Sequence, residues 1–64
     1  PDWPEVVLTD DLCFYVRKGQ PVMIPRSPTE GWVKMFGPER SFVGVGEVLD
    51  DGRIAPRRIL ATTR

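Results

Sequence analysis

The residues able to do chemistry in this chain are mostly cations. Four arginines (Arg53, Arg57, Arg58 and Arg64) follow the Asp51-Gly52 pair, and no acidic residue comes after Asp51. A guanidinium carries rigid, paired donors that match phosphate or carboxylate oxygens, so a strand that concentrates them can hold such groups. Arg17, Lys18, Gly19 and Gln20 form a second cluster, in which a glycine lets backbone approach a phosphodiester closely and flanking cations neutralise it. Arg26 adds a further candidate in a loop. Trp32, Lys34 and Phe36 alternate as aromatic, cation, aromatic, a face able to stack bases. Such triplets more often form core or a domain-packing face.

Catalysts are scarce. The chain has no His, so the commonest general base and metal ligand is missing. One Cys without His excludes the usual structural zinc site. Asp10-Asp11 and Asp50-Asp51 fall where a helix cap and a turn need them. Glu47 shares a strand face with Val43 and Val45 and is expected to pair with a neighbouring arginine. Gly44-x-Gly46 lacks both the third glycine and the following helix of a dinucleotide fingerprint. Cys13, on a short helix, reads as core or half-buried filler rather than a nucleophile. No catalytic residue, metal or cofactor is expected.

The elements that must position these groups fit in one small domain. A chain of 64 residues buries only about 60% of the surface it exposes when unfolded. Its 41% hydrophobic and 28% charged composition speaks for a folded soluble protein and against disorder. No apolar run reaches the roughly 20 residues of a membrane span. A single Cys13 cannot form an intrachain disulfide, which fits a reducing cytoplasm. Pro1 without an initiator Met leads us to expect an excised or processed piece. Nine basic and nine acidic residues cancel, which in bulk speaks against a dedicated nucleic-acid binder. The charges are segregated along the chain, however, and one positive face remains open to it.

Residues 1–4 read as a linker end, since two prolines forbid a regular helix there, and residues 5–64 as the domain. Glu5 to Leu8 suits a short strand. Thr9 is a helix N-cap, with Asp10 and Asp11 in the first turn, where negative charge suits the dipole. The helix continues to Lys18 with Leu12, Tyr15 and Val16 on one stripe, and Gly19 ends it. Pro21 to Pro25 suits an edge strand, and residues 26–31 a loop. Trp32 to Phe36 alternates as a strand, with Val33 and Met35 on one side. Gly37-Pro38 turns the chain into a strand from Ser41 to Leu49, and a tight Asp51-Gly52 turn leads into Arg53 to Leu60.

Two features constrain that last hairpin. Gly44 and Gly46 share a face with Phe42 and Val48, and weaken the strand unless something packs over them or the strand bends as in a small barrel. Pro56 cannot donate to a ladder. Regular alternation would turn Ile54, Pro56, Arg58 and Leu60 inward and bury Arg58. A bulge near Pro56 or Arg57 would turn both guanidinium groups outward, and a bulge is the expectation.

Taken together, TDDLCFYVRKGQPV, EGWVKMF and FVGVGEV-DDGRIAPRRIL resemble the C-terminal domain of the bacterial tRNA pseudouridine synthase B family. The most specific parts are Gly44-x-Gly46-Glu47, Asp51-Gly52-Arg53 and Ala55-Pro56-Arg57-Arg58, and the resemblance runs from about Glu5 to Leu60. It implies a PUA-like module: mainly β, a small antiparallel pseudobarrel of four or five strands with one short helix. It also implies a cytoplasmic parent enzyme that isomerises a T-loop uridine of tRNA to pseudouridine, with an aspartate nucleophile and no metal or organic cofactor. That aspartate belongs to a separate catalytic domain, so no catalytic residue transfers to this chain, and no turnover is expected of it alone. In PUA-type domains the loop after the helix and the last strand contact RNA. These correspond to Arg17 through Gln20 and to Arg53 through Arg58, with tRNA and the parent's catalytic domain as partners. The alternative is a structural or protein-interaction module that braces the catalytic domain without touching RNA.

Overall fold

The computed structural model describes residues 2–60. Strand β1 (Glu5–Val7) leads into helix α1 (Asp10–Arg17), followed by β2 (Gly31–Phe36), β3 (Phe42–Val48) and β4 (Ile54–Ile59). The four strands form one sheet in the order β1-β2-β3-β4. β2–β3 and β3–β4 are antiparallel, whereas β1 joins β2 in parallel. The chain is thus mainly β with one short helix, and the sheet is mixed. A parallel neighbour needs a crossover, and α1 with the segment after it provides one.

The helix starts and stops for local reasons. The Leu12 amide donates to Thr9 Oγ1 at 3.2 Å, satisfying one orphan donor of the first turn. At the other end the Gly19 amide donates to the Val16 carbonyl, and Gly19 takes φ +87°, where an L side chain is disfavoured. The buried stripe differs from expectation in one residue. Cys13 and Val16 are buried, whereas Tyr15 is exposed. A short helix lying on a small sheet has room for a narrow stripe only. The small thiol fits close to Gly37, where an added Cβ would lie 2.9 Å from Cys13 Sγ.

The core lies between α1 and the inner face of the sheet. Val6, Leu8, Val33, Met35, Val43, Val48 and Ile54 meet Cys13 and Val16 there, with Val22 and Ile24 from the segment after the helix. That segment is not a full strand. It pairs only at Val22, which exchanges two backbone hydrogen bonds with Ile54 (3.0 and 2.7 Å). Prolines at 21 and 25 remove the donors that would extend the ladder.

Two bulges set which side chains face out. Between β2 and β3, Met35 pairs with Gly44 but Phe36 pairs with Phe42, so Val43 is the extra residue. This changes the expected face of β3 only at its start, since Gly44, Gly46 and Val48 stay buried together. Val43 drops fully into the core, and Phe42 is turned to the surface. Between β3 and β4, Val45 pairs with Arg58 while Gly46 pairs with Pro56, leaving Arg57 as the extra residue. This is the bulge expected from Pro56.

Candidate nucleic-acid interface

The β3–β4 hairpin turns through three residues rather than the expected two. The Gly52 amide donates to the Leu49 carbonyl (2.9 Å) and the Leu49 amide to the Arg53 carbonyl (2.7 Å). Asp50 and Asp51 keep negative φ, and Gly52 alone adopts a positive value, +93°. A two-residue turn of the common type needs positive φ at both centres. Two aspartates in the loop favour the longer form. Asp51 then closes the turn, accepting from the Arg53 amide (3.0 Å) and from Arg53 Nε (2.7 Å). The backbone donor first, and the guanidinium second, hold its carboxyl below the ordinary carboxylate value.

β4 crosses β3 at close range, and the two glycines permit it. A Cβ on Gly44 would collide with the Arg58 carbonyl oxygen and lie 2.9 Å from Ile59 Cα. A Cβ on Gly46 would lie 2.7 Å from Ile54 Cγ2 and 2.9 Å from the Ala55 carbonyl oxygen. β4 itself therefore crowds the glycines, through its backbone at Gly44 and through the Ile54 side chain and Ala55 carbonyl at Gly46. With that contact and the bulge at Arg57 in place, Arg57 and Arg58 are both exposed.

The two neighbours are not equivalent. Arg57 Nε donates to Glu47 Oε1 at 3.1 Å, the acid–arginine pair foreseen for Glu47. Arg53 is held by Asp51. Among the described residues Arg58 makes no ion pair. It borders a shallow, mostly apolar groove of about 210 Å³ lined by Phe42, Gly44, Val45, Ile59 and Leu60. Arg53, Arg57, Glu47 and Asp51 border a second, open groove of about 420 Å³ whose lining is as much apolar as polar. Exposed ion pairs are worth about 0–1 kcal/mol, so an incoming phosphate can compete for Arg53 and Arg57, whereas Arg58 needs no exchange of partners.

Arg17, Lys18, Gly19 and Gln20 are all exposed at the end of α1. The hydrogen bonds between Val22 and Ile54 tether this bend to the start of β4, two residues after Gln20 and three before Arg57. Lys18 Nζ lies 5.1 Å from the centroid of the exposed Phe14 ring. Arg26 is exposed in the loop between Val22 and β2, and adopts φ +61°. Trp32, Lys34 and Phe36 do share the outer face of β2, opposite the buried Val33 and Met35.

Sequence reasoning missed two participants on that face. Trp3 stacks on Trp32, with ring centroids 5.6 Å apart and 22° between planes. Arg40 lies with its guanidinium 4.4 Å from the Phe36 centroid and its Nη2 3.1 Å from Glu5 Oε1. Glu39 and Arg40 both take positive φ (60° and 61°), an uncommon state that aims the Arg40 side chain back across the sheet. A Pro38-led turn was legible in the sequence. Nothing local marked the two residues after it.

No group of three His, Cys, Asp or Glu residues is placed to hold a metal ion among the described residues. None of their helices is long and apolar enough to cross a membrane.

Comparison with known proteins places these features. The model of the family described as "Pseudouridine synthase II TruB, C-terminal" matches residues 4–60. The chain belongs to that family. It is 51% identical over 59 residues to the tRNA pseudouridine synthase B of Nitrosococcus oceani, an alignment covering 92% of this chain and 19% of the relative. It is 53% identical over 58 residues to that of Tolumonas auensis, covering 89% of this chain and 18% of the relative. The corresponding protein of Pseudomonas aeruginosa is 45% identical over 58 residues, 91% of this chain and 19% of the relative. The chain thus spans about a fifth of the length of these synthases. Within this C-terminal family match lie the bulged β4, the paired glycines and the Asp51-Gly52 loop alike.

Proposed function

We propose that this chain is the accessory RNA-binding domain, PUA-like in kind, of a cytoplasmic tRNA pseudouridine synthase whose catalytic residues lie outside it. Its parent isomerises a T-loop uridine to pseudouridine, and this domain holds the tRNA backbone without a cofactor of its own. The observation that supports this reading is the bulge at Arg57, which leaves Arg58 outward and without a carboxylate partner among the described residues. Arg57 and Arg53 flank it as exchangeable phosphate ligands. Arg17 through Gln20 approach from the bend tethered at Val22, and Arg26 extends the set from the next loop.

A titration of the chain with tRNA at two salt concentrations, followed by backbone amide shifts, tests the reading. Nonspecific phosphate-driven binding falls at about 10⁻⁴–10⁻⁶ M, and each lost phosphate contact lowers the salt slope by about one. Arg58→Glu is expected to weaken binding with unchanged amide dispersion. Shifts around β4 that the substitution leaves untouched would place the RNA elsewhere.

A further inference from the structure

Helix α1 carries two aromatic rings that the core does not use. Phe14 and Tyr15 are 56% and 46% exposed and stand edge to face, with ring centroids 5.4 Å apart and 81° between planes. Neither belongs to the hydrophobic core. Phe14 lies one helical turn from Asp10 and Asp11 on one side and from Arg17 and Lys18 on the other, so all five share a stripe. Lys18 Nζ sits 5.1 Å from the Phe14 centroid. Neither Arg17 nor Lys18 makes an ion pair among the described residues.

The backbone of the bend after the helix is closed to an anion. The Lys18 and Gln20 amides donate to the Tyr15 carbonyl (3.1 and 3.0 Å), and the Gly19 amide donates to that of Val16 (2.9 Å). A helix C-terminus also carries partial negative charge, which repels a phosphate. A phosphate reaching this region therefore meets the side chains of Arg17 and Lys18 on the flank of the helix, beside the Phe14 ring. Asp10 and Asp11 repel it from the other side of that ring.

We propose that Phe14 is a stacking platform for an unpaired nucleobase of the bound RNA, whose phosphate is held by Lys18 and Arg17. This assignment rests on the RNA-binding reading and deepens it. Base–aromatic stacking outweighs an exposed ammonium–ring contact, so the base takes the ring and frees the Lys18 ammonium for the phosphate. Tyr15 braces Phe14 edge-on. Every base has a π-face, so the platform accepts all four. In a duplex those faces are covered by neighbouring bases, and the platform therefore selects single-stranded over paired RNA. Two unpaired cations beside the ring suit a polyanion better than a protein segment.

Titration of the chain with a short single-stranded RNA of mixed sequence, and separately with the blunt duplex it forms with its complement, tests this. Phe14→Leu keeps a good helix former and an apolar side chain but removes the ring. It is expected to weaken single-strand binding about five- to hundredfold, the scale of one lost base stack, and to leave the salt slope and the duplex affinity unchanged. Lys18→Gln should lower the single-strand salt slope by about 0.7. In the unsubstituted chain, the Phe14 ring protons should move upfield with the single strand and not with the duplex. Undiminished single-strand affinity in Phe14→Leu would overturn the proposal, as would an equal loss on both RNAs with amide dispersion intact. So would Phe14 ring protons that neither RNA moves, which would leave the ring to a protein partner. In each of these cases RNA-induced amide shifts around β4 would keep the RNA-binding reading standing. If neither RNA moved any amide of the chain, both readings would fall.

Discussion

Replacing Gly44 by alanine perturbs the contact on which the β4 arginines depend. The position has φ +153°, which L residues rarely adopt, and its new Cβ would strike the carbonyl oxygen of Arg58. Backbone cannot rotate away as a side-chain tip can. Strain of about 1–3 kcal/mol adds to an overpacking cost of about 1–3 kcal/mol. The reduced freedom of the unfolded chain returns about 0.4–1 kcal/mol. The net loss is about 3 kcal/mol, against a total of about 3–10 kcal/mol for a domain this short. In thermal terms this is a fall of roughly 12–24 °C. Gly19→Ala is the control: it shares the unfavourable φ, at +87°, but nothing lies within 4 Å of its Cβ. Urea denaturation followed by tryptophan fluorescence measures both. Gly44→Ala should lose clearly more stability than Gly19→Ala. Equal losses would refute the claim that β4 backbone rests directly on Gly44.

Three further outcomes follow from other parts of the fold. Thr9→Ala removes the acceptor for the Leu12 amide and should cost about 1 kcal/mol by the same denaturation assay. Asp51 is held below its ordinary pKa by the Arg53 amide and guanidinium, so its contribution to stability is complete above the unfolded carboxylate value and disappears as pH falls through the folded one. Asp51→Asn should therefore flatten the acid limb of the stability–pH curve below about pH 4, leaving its shape at neutral pH unchanged. Glu47→Gln releases Arg57 from its ion pair and should strengthen tRNA binding and steepen its salt dependence, read by the same titration as Arg58→Glu.

Much of the candidate site was legible because its causes are local. A proline without an N–H, followed by two arginines that burial would penalise, demands a bulge, and the register shift falls at Arg57. Thr9, Gly19 and Gly52 act through dihedral preferences and hydrogen bonds that span only a few residues. The alternation of Val33 and Met35 against Trp32, Lys34 and Phe36 follows from the two-residue strand period.

Tertiary structure alone decided what depends on distant partners. Phe42 and Val43 have similar local character, and the bulge opposite Met35 and Phe36 chose which of them entered the core. A shift of one residue exchanges the two faces, so only the packing of the whole sheet settles it. The parallel seat of β1, the single bridge from Val22 to Ile54, and the stack of Trp3 on Trp32 likewise join residues 29 to 32 positions apart. The amino-acid order determined that the cations of β4 would face outward. Pairing of β3 with β4 determined that Glu47 would meet Arg57 and that Arg58 would be left without a carboxylate partner among the described residues.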